Sequence, residues 1–125
     1  MRRFALTLAL CALLAAGCGD DDEPGRTVTA PANSKLTVVA GEYSFDPSAI
    51  VLSGAGTLTV ILRNEGSLAH NLKLFRGDEE IGGTPTLPAG ANDSARVNLE
   101  HGSYRMVCTV GDHEQQGMTG TLQVR

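Results

Sequence analysis

The stretch from Cys108 to Met118, CTVGDHEQQGM, carries most of the information in this sequence, because it places a thiol, an imidazole and a thioether on one short segment. Cys108 closes one predicted strand, His113 lies on the connection, and Met118 opens the last predicted strand. Gly111 and Gly117 relax the backbone where such a loop must turn. We therefore predict a loop between two strands that can fold three side chains around one point.

The residues outside this loop follow the pattern of short β-strands. In Thr57–Leu62, polar and apolar residues alternate over the first four positions, as they do on a half-buried strand. No window resembles an amphipathic helix of ordinary length. About seven to eight short strands separated by turns predict an all-β fold, a β-sandwich. The predicted strands are Leu36–Val39, Ala49–Leu52, Thr57–Leu62, His70–Phe75, Ser94–Leu99, Ser103–Thr109 and Thr119–Val124.

A fourth functional side chain has to come from elsewhere in the chain, and histidines are scarce. The sequence contains only His70, His101 and His113. His70 follows a predicted turn and begins a predicted strand, at an edge from which its side chain can reach the loop. His101 lies in a predicted turn, and we assign it no metal-binding role. We therefore predict that His70, Cys108, His113 and Met118 bind a metal ion.

The types of these four side chains favour copper over zinc. Two imidazoles, one thiolate and one weak thioether form the ligand set of a blue-copper electron-transfer site. Structural zinc takes four Cys or His ligands, catalytic zinc takes three strong ligands and a water, and neither uses methionine. The alternatives are that Cys108 is a buried apolar residue, that Met118 fills a gap in the core, and that His113 is a surface residue.

The N-terminal residues have the layout of an export signal. Arg2 and Arg3 precede an apolar run over residues 4–16, which is shorter than the about 20 residues that span a bilayer. The small residues before Cys18 resemble the lipobox of bacterial lipoproteins. We predict a signal peptide over residues 1–17, and a lipidated Cys18 with a flexible acidic linker over residues 18–34. The alternative is an ordinary signal peptide, with Cys18 left as a stray thiol or trimmed away.

The cysteine count then leaves one thiol to explain. Cys11 departs with the signal peptide and Cys18 takes lipid, so that Cys108 is the remaining cysteine of an exported domain without a disulfide framework. A lone exported thiol is prone to oxidation unless it has a use. With a formal net charge of −4, nothing in the sequence is basic enough to suggest nucleic-acid binding.

Three further segments, with the loop, resemble the cupredoxins, the type 1 blue-copper family. The Cys-x4-His-x4-Met spacing is similar to the rusticyanin-type loop, although Gly111-Asp112 stands where many relatives have Pro-Gly. The resemblance covers residues 35–125 and implies a Greek-key β-sandwich with one copper ion at one end. It also implies that Asn71 joins the two segments that carry the metal ligands by hydrogen bonding. The other matching segments are Glu42–Phe45, Asn64–Leu72 and Gly102–Cys108.

A copper ion with four protein ligands leaves no position for a substrate, which argues against an enzyme. We predict a monomeric carrier of single electrons between redox proteins, held by a lipid anchor at the outer face of the cytoplasmic membrane or in the periplasm. A copper-binding or copper-delivery lipoprotein is the second possibility, although Met106 and Met118 are the only methionines of the mature chain. A degenerate cupredoxin that acts as an interaction module is the third.

Overall fold

Two β-sheets pack face to face in this structure, a computed structural model that describes residues 25–125. The predicted signal peptide (residues 1–17) and the predicted lipidation of Cys18 lie outside the described residues. Residues 25–125 contain no helical segment with the length and hydrophobicity that a membrane-spanning helix needs. The strands are β1 Thr27–Ala30, β2 Lys35–Gly41, β3 Ser44–Asp46, β4 Ala49–Leu52, β5 Gly56–Asn64, β6 Lys73–Arg76, β7 Glu79–Gly83, β8 Asn92–Leu99, β9 Gly102–Val107 and β10 Thr119–Val124.

The strands form one sheet of six and one of four. The larger sheet has the strand order β1-β4-β10-β9-β6-β7, and the smaller has the order β3-β2-β5-β8. Side chains on β5 alternate between the interior and the outside, so that Leu58, Val60 and Leu62 are buried while the residues between them are partly exposed. The core between the sheets is mostly aliphatic, with Phe45 and Tyr104 as its aromatic members. The predicted all-β sandwich is confirmed.

The structure differs from the predicted strands at four strands, β1, β3, β6 and β7. β1 lies inside the segment 18–34 that we predicted to be linker, and it pairs in parallel with β4, with Thr27 opposite Ala49. The linker prediction is therefore wrong for β1, an edge strand within a polar, proline-containing segment that is fixed by its pairing with β4. The short strands β3 and β7 were also missed. β6 begins at Lys73 rather than at His70, which instead makes an isolated bridge with Leu87.

The strand order explains why distant residues meet at one end of the sandwich. β9 lies between β10 and β6, and Val107 at the end of β9 pairs with Thr119 on one side and Lys73 on the other. The residues just beyond these three strand ends must therefore lie together. They include Cys108 after β9 and Met118 before β10. The Cys108 N–H donates a hydrogen bond of 3.1 Å to the carbonyl of Met118.

Candidate metal centre

Three of the predicted ligands meet in a buried cluster. The Nδ1 atoms of His70 and His113 lie 3.2 Å apart. The Sγ atom of Cys108 lies 3.5 Å from Nδ1 of His113 and 3.9 Å from Nδ1 of His70. His70 and Cys108 are fully buried, and His113 is 7% exposed. The cluster is thus closed to water on the His70 side and approaches the surface at His113.

These distances fit a single ion bound by all three atoms. Metal–nitrogen bonds of about 2.0 Å and metal–sulfur bonds of about 2.3 Å are typical of such sites. Two nitrogens on one ion therefore lie at most about 4.0 Å apart, and a nitrogen and a sulfur at most about 4.3 Å apart. All three measured separations fall below these limits. The three side chains could therefore bind one metal ion in the positions that they already occupy.

The loop that carries His113 and Met118 is held by its own backbone. The His113 N–H donates to the carbonyl of Val110 at 3.0 Å, and the Met118 N–H donates to the carbonyl of His113 at 3.0 Å. Gly111 and Gly117 have φ values of 50° and 102°, a region that side-chain-bearing residues rarely adopt. The turn thereby returns the chain to β10 with Met118 fully buried in the same core cluster as Cys108.

Asn71 joins the His70 segment to the Cys108 segment. Its Oδ1 accepts a hydrogen bond of 2.9 Å from the backbone N–H of Thr109, and its Nδ2 donates to the Thr109 hydroxyl at 2.9 Å. The same Nδ2 donates to the Thr86 hydroxyl at 3.0 Å. Contacts of this kind orient metal ligands and tune the metal. These hydrogen bonds are those that the family resemblance implied for Asn71.

We expect Asn71→Ala to destabilise the copper-free domain by about 1–3 kcal/mol, because the Thr109 N–H loses its acceptor in a partly buried position. Urea unfolding followed by circular dichroism measures this change. Asn98→Ala, which removes an exposed hydrogen bond of 2.8 Å to Thr57, is the matched control and should cost about 0.5 kcal/mol or less. Equal effects of the two substitutions would contradict the tying role of Asn71.

His70 has an environment that the sequence did not reveal. Its backbone exchanges two hydrogen bonds with Leu87, of 3.1 and 2.8 Å. Its Nε2 has no hydrogen-bond partner, and the Oε1 atom of Glu42 lies 3.5 Å from it. Burial lowers the pKa of His70, which favours the neutral imidazole that a metal ligand requires. The N–H groups of Leu68 and Ser67 donate to Glu42 and hold the pKa of its carboxyl below the ordinary value.

His113 has an aromatic neighbour at the surface. The Tyr43 ring packs edge-on against the His113 ring, with 5.2 Å between centroids and 72° between planes. Glu114 forms an ion pair of 3.2 Å with Arg105, while the Asp112 carboxylate accepts a hydrogen bond of 3.3 Å from Gln116. Both carboxylates therefore have partners among the surface side chains of the loop and β9.

Sequence reasoning missed three residues around the site, and His101 lies away from it. Asn64, at the end of β5, is buried and donates from Nδ2 to the carbonyls of Leu68 and Leu87 at 2.8 and 3.0 Å. The available signal was the turn sequence at residues 64–67 that precedes His70. Glu42 and Tyr43 carried no signal except their place in a segment that resembled the family. His101 is exposed in the turn that precedes β9, outside the cluster of potential ligands.

Comparison with known proteins supports the fold. No protein-family model and no curated protein sequence matches the chain. Among solved structures, reduced auracyanin from Roseiflexus castenholzii has a TM-score of 0.69 and 20% identity, covering 75% of this chain and 98% of its own. Auracyanin A from Chloroflexus aurantiacus, described as a "blue" copper protein, has a TM-score of 0.65 and 19% identity, covering 77% of this chain and 100% of its own. Rusticyanin from Thiobacillus ferrooxidans has a TM-score of 0.65 and 20% identity, covering 79% of this chain and 82% of its own.

These similarities define the class of fold. Auracyanin and rusticyanin are cupredoxins, so the chain has the cupredoxin fold, and the resemblance predicted from sequence is confirmed at that level. Within this fold, His70, Cys108, His113 and Met118 form the residue pattern of a type 1 copper site.

Proposed function

We propose that this protein binds one type 1 copper ion and carries single electrons between redox proteins. The observation that carries the proposal is the convergence of two imidazole nitrogens and a thiol sulfur within 4.8 Å of one another in a buried position. Met118, fully buried at the end of the same loop, is the fourth ligand. A soft sulfur pair with two imidazoles suits copper, whereas zinc sites do not use a thioether.

The bound copper would supply a one-electron couple, and the residues of the chain determine how easily it is used. His70 and Cys108 are fully buried, and Asn71 ties their segments together. Ligands held in this way keep nearly the same positions in both oxidation states. Four protein ligands also leave no coordination position for a substrate, and we therefore place the protein among carriers rather than enzymes.

We infer that electrons pass through the His113 side of the site. His113 is the one histidine of the cluster with exposed surface, and Tyr43 packs against its ring. Within residues 25–125, the exposed large hydrophobic side chains are Tyr43 and Leu68, 36% and 42% exposed. The Leu68 N–H donates to Glu42, the neighbour of Tyr43 in the chain, and both apolar side chains therefore belong to this end of the sandwich. Tyr43 offers a partner protein a small apolar contact beside His113, and Leu68 adds exposed apolar surface at the same end of the sandwich.

Repeated reduction and oxidation distinguishes an electron carrier from the alternative, a copper-delivery protein. The copper-loaded protein is cycled with a mild reductant and oxidant in the presence of a strong Cu(I) chelator outside the protein. A carrier recovers its Cu(II) spectrum in each cycle and loses no copper to the chelator. Quantitative transfer of copper to the chelator after the first reduction would contradict the proposal and favour delivery.

We also propose that the protein is exported and attached to a membrane through lipid on Cys18, as the N-terminal sequence suggests. Expressed with its complete N-terminus in a bacterial host, the wild-type protein should sediment with membranes and incorporate labelled fatty acid. Cys18→Ala should abolish the labelling and release the protein into the soluble fraction. Cys11→Ala is the control and should leave both results unchanged. A wild-type protein that is soluble and unlabelled after export would contradict the lipid anchor.

A further inference from the structure

Glu42 lies on the connection between β2 and β3 and reaches the far side of the His70 ring. One oxygen, Oε1, accepts hydrogen bonds from the backbone N–H groups of Ser67 and Leu68, at 2.5 and 2.9 Å. The same oxygen lies 3.5 Å from Nε2 of His70. It therefore sits between the loop that precedes His70 and the nitrogen of His70 that faces away from the cluster.

The Nε2 atom of His70 needs such a partner. It is a buried nitrogen without a hydrogen-bond partner in the described residues. A buried polar atom without a partner destabilises the folded state, so that one is rarely retained without a role. Because Nδ1 of His70 faces the other ligands, the ring proton belongs on Nε2 when Nδ1 binds a metal. That proton then points to the side on which the carboxylate stands.

Gly66 allows this approach. A Cβ atom at position 66 would lie 2.5 Å from Oε1 of Glu42 and 3.0 Å from Nε2 of His70. A side chain there would push the carboxylate away from the imidazole. The absence of a side chain at Gly66 is thus a local condition for the contact between Glu42 and His70.

We propose that Glu42 is a positioning residue that fixes the His70 imidazole through Nε2 and favours oxidised copper. The proposal rests on the copper site proposed above. A carboxylate beside a ligand imidazole increases the electron donation of the ring to the metal. Its negative charge also stabilises the ion of higher positive charge, Cu(II), more than Cu(I). Solvent moderates this effect, because the Glu42 side chain is 40% exposed, whereas His70 is fully buried.

The test compares two substitutions that remove the same charge from neighbouring positions. Glu42→Gln keeps an oxygen that can accept from Ser67 and Leu68 but removes the charge beside His70. Glu65→Gln is the matched control, because Glu65 is an exposed acid that forms an ion pair of 2.9 Å with Arg63. Glu42→Gln should lower the ratio of Cu(II) affinity to Cu(I) affinity about tenfold, which corresponds to a reduction potential higher by about 59 mV. Glu65→Gln should change it by less than a third of that amount.

Gly66→Ala gives an independent check, since it displaces the carboxylate without changing the charge of the protein. Like Glu42→Gln, it should raise the reduction potential. Equal potentials for Glu42→Gln and Glu65→Gln would overturn the proposal, even if Glu42→Gln lowered the melting temperature through the loop. The proposed copper function is tested separately: it stands if the wild-type protein turns blue with Cu(II), even when the role of Glu42 is overturned.

The copper-free protein provides a readout that needs no metal. Nitrogen NMR should show the neutral His70 ring protonated at Nε2, with the Nε2 proton protected from exchange in the wild type. Glu42→Gln should speed that exchange several-fold, and Glu65→Gln should not. A neutral His70 protonated at Nδ1 in the wild type would overturn the proposed role of Glu42.

Discussion

Cys108→Ser is expected to abolish the intense visible absorption of the copper-loaded protein. The strong band of a blue-copper site comes from charge transfer between a thiolate and Cu(II), and a serine oxygen is too hard a donor to reproduce it. Cys108 is the free cysteine of the described residues, and its sulfur lies within 3.9 Å of both imidazole nitrogens. No neighbouring thiol in that part of the chain can replace it. Absorption spectra after addition of one equivalent of Cu(II) measure the loss.

A histidine outside the cluster supplies the control for this substitution. His101 is exposed in the turn before β9, and His101→Ala should retain the full intensity of the band. Circular dichroism would show that both variants keep the β-sandwich. A Cys108→Ser variant that remained intensely blue would mean that Cys108 is not the thiolate ligand.

Met118→Leu should raise the reduction potential and leave the protein blue. The thioether is a weak axial donor, and its removal destabilises Cu(II) more than Cu(I) while Cys108 and both histidines continue to bind copper. A tenfold change in the affinity ratio, about 59 mV, is the smallest rise that we expect. Leucine has a similar volume, so the cost in folding free energy should stay below about 1.5 kcal/mol. Voltammetry of the two copper-loaded proteins measures the shift.

Met106→Leu is the matched control for Met118→Leu. Met106 is equally buried but lies within β9, where it pairs with Gly120 on β10 and Leu74 on β6. Its replacement should cost a similar amount of stability and leave the potential nearly unchanged. A Met118→Leu potential that is unchanged or lower than that of the wild type would contradict the axial role of Met118.

The loop could be predicted from sequence because its information is local. Cys108, His113 and Met118 lie on one short segment, between the strands predicted over Ser103–Thr109 and Thr119–Val124. His70 could be added because so few histidines were available. The fold class followed from several short strand-like segments separated by turn residues, one of which, Thr57–Leu62, showed the period of two.

The contacts that the sequence did not reveal join segments that only the fold brings together. Glu42 meets His70 because β2 and β5 pair in parallel, with Ala40 opposite Asn64, which brings the ends of both strands to the site. The Arg105 partner of Glu114 likewise depends on the position of β9 beneath the loop. Neither contact leaves a period or a motif in the sequence. β1 was missed for a different reason, since its stability comes from pairing with β4 rather than from a pattern of its own.

The visible spectrum of the wild-type domain with Cu(II) tests the central claim most directly. Purified protein comprising residues 25–125 is titrated with Cu(II), and absorption and electron paramagnetic resonance are recorded at each addition. We predict an intense thiolate-to-copper band that saturates at one copper per chain, with the narrow copper hyperfine splitting of a type 1 site. A pale solution with the resonance of ordinary Cu(II) bound by nitrogen and oxygen would contradict a blue-copper site at His70, Cys108, His113 and Met118.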